Sequence, residues 1–180
     1  YALARRGIAV TLVDRRDRPA MEASHANGAQ LSYLYTDALA NPALLLQLPR
    51  LALGRVPAFR MSLRADIDYL RWLAAFLANC TADRFRRNTL ETLRLALESR
   101  VAMEELLARH TLDFDFRTAG KLHVYRSRKG WEAAQRIIDM KAGPEVVQEA
   151  LSPREAIGIE PALEDAAQGI EGVLYSPEEA

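Results

Sequence analysis

Gly7-Ile-Ala-Val-Thr-Leu-Val-Asp14-Arg-Arg16, followed by Glu22-Ala-Ser-His-Ala-Asn-Gly-Ala-Gln-Leu-Ser-Tyr33, is the stretch that decides how this chain folds. Ile8, Val10, Leu12 and Val13 form the apolar, β-branched run of a strand buried on both faces, and the run stops at Asp14. Upstream, Tyr1-Ala-Leu-Ala-Arg-Arg-Gly7 reads as the end of a helix. Arg5 and Arg6 suit the negative end of its dipole, and Gly7 suits the left-handed position that closes it. A carboxylate just past such a strand is where dinucleotide-binding folds accept hydrogen bonds from the adenosine ribose hydroxyls. A surface aspartate that merely ends a strand has the same pattern. The first strand and Gly-x-Gly-x-x-Gly turn of such a fold do not precede this helix, and there is no initiator Met. The chain is therefore expected to be a fragment.

The second half of the stretch adds polar chemistry. Gly28 lets backbone approach a planar ring closely, and Ser24 and Asn27 carry donors for phosphate or ring acceptors. Ser24-His-Ala-Asn-Gly-Ala-Gln-Leu-Ser32 resembles the loop that crosses beneath the flavin in the FAD-dependent D-amino-acid oxidase superfamily, and within it most of all the bacterial D-amino-acid dehydrogenases. Two departures stand out: Ala29 where those proteins usually carry Gly, and His25 where they often carry a small or aromatic residue. The resemblance implies FAD as cofactor, with Asp14 on the ribose and Arg15 near the adenine. It places Ser24, Asn27, Gly28, Ala29 and Gln30 along the pyrophosphate or the ring. Tyr33 and Tyr35 fall on the substrate side, where a phenol would orient an amino-acid carboxylate; packed aromatics at a domain seam would look the same. Two apart on an extended backbone, both phenols would lie on one side.

At 180 residues the chain is long enough to bury a sizeable core. Lys and Arg total 24, as do Asp and Glu, so no bulk charge favours nucleic acid or an anionic membrane. Cys80 is the only cysteine, which excludes an internal disulfide and a cysteine-based metal site. No apolar run approaches the roughly 18 residues of a spanning helix. Phosphate-loop, zinc-protease and nucleophile-elbow motifs are absent, and no spacing suggests a metal.

Residues 43–59 are apolar but broken by Pro49, Gly54 and Pro57, which permit only short helical turns. They read either as a lid or membrane-surface contact, or as a buried connection. From Leu63 the positions Ile67, Leu70, Leu73, Ala74 and Leu77 trace an amphipathic helix. Thr81 is placed to cap a second helix that runs to about Arg109. Its stripe is Phe85, Leu90, Leu93, Leu97, Val101 and Leu107, and its solvated face carries Arg86, Arg87, Arg94, Glu98, Arg100 and Glu105. Trp72 and Cys80 are expected in or near the core. Leu112-Asp-Phe-Asp-Phe116 and Lys121-Leu-His-Val-Tyr-Arg126 alternate, which predicts a pair of antiparallel strands with His123 and Tyr125 on one face. Residues 130–140 form a further helix, and Ser152-Pro-Arg-Glu155 is a capping box with Pro at the first helical position. Glu160-Pro-Ala-Leu163 and the strand within Gly169-Ile-Glu-Gly-Val-Leu-Tyr-Ser176 resemble segments of the same family, as does the Ala-Gly-Lys-Leu strand.

The expected fold is α/β with an α+β substrate part. Residues 1–42 form a partial Rossmann-like FAD-binding domain, 43–110 a helical insertion, and 111–180 the start of an antiparallel-sheet substrate domain. The resemblance implies oxidative deamination of D-amino acids such as D-alanine. In that family hydride passes from Cα to the flavin, and water hydrolyses the imino acid to a 2-oxo acid and ammonia. It further implies a respiratory-chain or quinone acceptor and a cytoplasmic location with peripheral contact to the inner membrane. The arginine that binds the substrate carboxylate would lie outside these residues, so the chain alone is expected to be inactive. A glycine- or sarcosine-oxidase-like amine oxidase and a non-enzymatic helical interaction module are the competing readings.

Overall fold

A computed structural model describes residues 1–52 and 66–180. The chain divides into two compact units, Tyr1–Gln30 and Leu31–Ala180.

The first unit opens on a short helix, α1 (Ala2–Arg5). Gly7 takes φ +75°, its N–H bonds to the Ala4 carbonyl, and the Ile8 N–H reaches back to Leu3. That is a Schellman closure, as the sequence predicts. The following run does not become the buried strand its pattern predicts. Residues 8–13 form no strand and remain exposed, Leu12 at 76% and Val13 at 86%. A strand buried on both faces needs a hydrogen-bonded neighbour and a covering layer, and this unit holds no second strand.

In the second unit two short helices come first, α2 (Pro42–Leu45) and α3 (Leu48–Ala52), as the proline spacing requires. The remainder of the apolar run, 53–59, and the predicted helix start at Leu63 lie outside the described residues. Helix α4 (Ile67–Asn79) begins on Asp66, whose carboxylate accepts the Asp68 and Tyr69 N–H groups. Its apolar face is only partly covered by the described residues. Trp72, expected in the core, is 55% exposed, and Ile67 and Leu70 are exposed beside it. Tyr69 instead lies tilted against Trp72 and Phe76 stacks on Trp72, with ring centroids 5.9 and 5.4 Å apart. Cys80 is buried, as expected.

Thr81 caps α5 (Ala82–Arg109), a 28-residue helix. Leu93 of its stripe is buried, Val101 is exposed, and Thr89 is fully buried with its hydroxyl on the Ala38 N–H. Arg100, read as solvated, is half-buried and bonds Glu178 at 2.6 Å.

The sheet has the order β1-β3-β2, from β1 (Lys121–Tyr125), β2 (Glu149–Leu151) and β3 (Gly172–Ser176), all antiparallel. The partner of β1 is β3, not 112–116, which form no strand. Asp115 sits at φ +54° and breaks the extended run there. β3 wins the central place because Gly-Val-Leu is compact and apolar on both sides, and it is buried along almost its whole length. One face of the sheet, with Leu122, Val173 and Leu151, packs on Ala156, Ile170 and Leu163 of the α7 (Pro153–Ile159) region. The capping box that starts α7 forms as predicted, Ser152 and Glu155 bonding reciprocally. The other face carries Lys121, His123 and Tyr125. Helix α6 (Arg128–Lys141), capped by Ser127, meets it through Trp131, whose ring lies 5.6 Å from that of Tyr125.

Candidate functional site

Within the first unit the predicted cofactor residues lie on one exposed loop. Asp14 Oδ1 accepts the Arg16 N–H at 2.8 Å, which turns the chain. Arg15 and Arg16 both close on Glu22, each with an Nε–Oε1 distance of 2.8 Å, and Arg15 Nη2 also bonds Oε2. These two guanidiniums, Arg15 first, hold the Glu22 carboxyl below its usual range. The Arg15 side chain is thus engaged with Glu22. Asn27 Oδ1 accepts the Ala29 N–H at 2.8 Å, and Ala29 stands at φ +48°, the left-handed region that favours glycine. The space beside Gly28 is open: a Cβ there would meet nothing within 4 Å. Ser24 and Gln30 are exposed.

In the second unit, residues 31–37 form a strip laid against the sheet's polar face and its margins. Both lysines that border this face fasten it. Lys121 Nζ donates to Ser32 Oγ at 2.5 Å. Lys141, buried at the end of α6, donates to the Leu34 carbonyl at 2.8 Å and pairs with Asp37. The buried Glu179 accepts the Leu34 N–H at 2.7 Å, and residues 31 and 180 exchange backbone hydrogen bonds. The chain bends at 33–34, so the two phenols part company. Tyr33 is buried; burial, then Glu104 and Glu179, raise its pKa against the opposing Arg100. Tyr35 is 63% exposed and stacks on His123, with centroids 4.8 Å apart and planes 18° apart. The Lys121 ammonium lies over the same ring at 5.8 Å.

His123 is held below the ordinary imidazole value by burial first and by Lys121 and Lys141, with Asp37 pulling the other way. Among the described residues, three buried side-chain polar atoms lack a partner: Thr36 Oγ1, His123 Nδ1 and Glu179 Oε2. All three belong to the strip or to residues it touches, which sets this region apart from the satisfied remainder.

Residues 1–180 match the family described as DAO, FAD dependent oxidoreductase. The chain belongs to that family. Over 99% of its length the chain is 41% identical to D-amino acid dehydrogenase 2 of Ralstonia nicotianae, covering 42% of that protein. It is 38% identical to D-amino acid dehydrogenase of Paramagnetospirillum magneticum and 38% identical to D-amino acid dehydrogenase 2 of Pseudomonas aeruginosa, covering 43% and 42% of them. The chain thus spans under half the length of these relatives. No solved structure gives a significant match.

The donor set fits the cofactor. A dinucleotide needs an acceptor for ribose hydroxyls, donors for phosphate oxygens and a flat approach to its ring. Asp14, then Ser24 with the amide of Gln30, and the open side of Gly28 are of those kinds. The residues that sequence reasoning passed over are Lys121, Lys141, Asp37 and Glu179. Lys121 was within reach, since it shares the β1 face with His123 by the two-residue period. Nothing local marks Lys141 or Glu179 as buried.

Proposed function

We propose that the protein carrying this chain is an FAD-dependent dehydrogenase of D-amino acids, organised as a partial Rossmann-like domain (1–42), a helical insertion (43–110) and the start of a substrate domain (111–180). The family match over the whole chain, with relatives named D-amino acid dehydrogenase at up to 41% identity, is the observation that carries this reading. The loop's chemistry supports roles for Asp14 at the ribose, Arg15 near the adenine, and Ser24, Asn27, Gly28, Ala29 and Gln30 at the pyrophosphate or ring. When bound, FAD supplies the acceptor for the two electrons and the hydrogen that leave the substrate Cα. This chain's own residues orient the substrate. The exposed Tyr35 hydroxyl donates to the substrate carboxylate, and Lys121 adds a positive charge beside it. Tyr33, in the same strip, is buried and its phenol is turned away from the exposed side that Tyr35 occupies. The amine leaves as ammonia after water adds to the released imino acid. The electrons pass to a quinone or another respiratory-chain acceptor. Membrane contact in this reading is peripheral; no helix of the described residues is long and apolar enough to cross a membrane.

The test is the visible spectrum of the protein carrying this chain, before and after anaerobic D-alanine. Flavin bands that bleach uphold the reading. Bands that persist with D-alanine but bleach with glycine or sarcosine move the substrate class, and peroxide formation in air marks an oxidase. A colourless protein that takes up no added FAD overturns the cofactor assignment as well.

A further inference from the structure

We propose that His123 is a positioning residue, the platform that holds the exposed Tyr35 phenol in place for the substrate carboxylate. The inference rests on the reading of Tyr35 as a substrate-side group.

Polar contacts fix the strip on either side of this tyrosine. Leu34 donates its N–H to Glu179 and its carbonyl accepts from Lys141, and the Asp37 carboxylate pairs with Lys141. What remains to be fixed is the side chain. An exposed tyrosine ordinarily samples its rotamers, but one face of this ring lies on the His123 imidazole at 4.8 Å with planes 18° apart. The Lys121 ammonium stands 5.8 Å from the ring centroid. One face of the ring is thereby covered while the residue stays 63% exposed, which leaves the phenol accessible as an ordered donor. His123 itself is held by the sheet, opposite Leu174 of β3. Its Nδ1 is buried without a hydrogen-bond partner among the described residues, and its ring face is given to Tyr35. The ammonium beside the phenol makes an anion, the carboxylate of an α-amino acid, the group this donor favours over the substrate's own ammonium.

The FAD-loaded protein carrying this chain provides the test. Propionate, a carboxylate without an oxidisable amine, is titrated against the flavin absorption for Kd, and D-alanine turnover gives KM and kcat. Tyr35→Phe raises the propionate Kd about tenfold, the loss of one hydrogen bond to a charged group. His123→Ala raises it by roughly three- to tenfold, and His123→Phe, which keeps a ring but no nitrogen, returns it to within about twofold of the parent. KM moves more than kcat in each variant. In a Tyr35→Ala background, His123→Ala adds less than about twofold, because the two act through one contact. A readout independent of turnover is the His123 ring-proton resonance, shifted by the stacked phenol and released in Tyr35→Leu. That measurement decides the matter if His123→Ala fails to fold. Equal losses in His123→Phe and His123→Ala, a His123→Ala loss that survives in Tyr35→Ala, or a resonance indifferent to Tyr35→Leu overturns the platform. A Tyr35→Phe variant with unchanged Kd overturns the substrate-side reading and this inference with it. Weakened binding in Tyr35→Phe beside an unaffected His123→Ala overturns the inference alone.

Discussion

Ile8-Ala-Val-Thr-Leu-Val13 and Gly172-Val-Leu-Tyr-Ser176 are both short and largely apolar, yet Val13 is 86% exposed and Val173 is fully buried. The second segment has a hydrogen-bonded strand on each edge and side chains packed on each face: the Leu122, Leu151 and Ala156 cluster below, Trp131 above. The first has neither within its own unit. An apolar β-branched run specifies readiness to be a strand. Neighbours on both edges and layers on both faces turn readiness into structure, because an unpaired backbone gains nothing over its bonds to water.

Glycine substitutions put the largest strain on this comparison. A Cβ at Gly172 would sit 2.5 Å from Trp131 Cδ2. Gly172→Ala is therefore expected to cost about 3 kcal/mol in chemical denaturation, and Trp131→Leu in the same chain should recover much of it. Full stability in Gly172→Ala would mean that α6 does not lie on β3 as described. Next comes Lys141→Ala, which leaves the Leu34 carbonyl and the Asp37 carboxylate without their partner. A loss of about 2–3 kcal/mol is expected from the second unit, at the low end for a broken buried pair because Asp37 is partly exposed. Ser152→Ala removes one half of the α7 capping box and should cost about 1 kcal/mol.

Smaller still is the pH response of His123. Its folded pKa lies below the unfolded value of 6.5, so the unfolded chain takes up a proton that the folded one resists. Stability is complete above about pH 6.5 and declines as pH falls through the window down to the lower folded value. Melting curves at neutral and mildly acidic pH measure this, and His123→Phe should flatten its share of the decline. The smallest effect on folding returns to the first unit. Gly28→Ala meets nothing within 4 Å and should change apo stability by less than about 0.5 kcal/mol. If Gly28 borders the ring as proposed, the same variant weakens FAD uptake. A variant that leaves uptake unchanged removes Gly28 from the cofactor site.

Local chemistry was the legible part. Thr81 caps α5, Ser152 and Glu155 close their box, and Gly7 takes the left-handed turn, because each of these depends on residues within one turn of chain. Ala29 shows the same rule in reverse: it stands at φ +48°, in the left-handed region that favours glycine, while the neighbouring Gly28 has no positive φ. Trp72 and the 112–116 strand were misread for the opposite reason. Amphipathicity and alternation report which side of a segment is apolar, not whether anything lies against it.

The sequence by itself determined the Gly7 turn, the caps of α5 and α7, and the strands at 121–125 and 172–176, since period, capping and turn chemistry act over a few residues. Only the tertiary structure decided that β1 pairs with β3 across about fifty residues. Only it parted Tyr33 from Tyr35 and set the second on His123. It also buried Lys141 and Glu179 as the fasteners of one strip. Those choices compare contacts between distant segments, and burial of a lysine is stable only where a carbonyl and a carboxylate arrive from elsewhere to meet it.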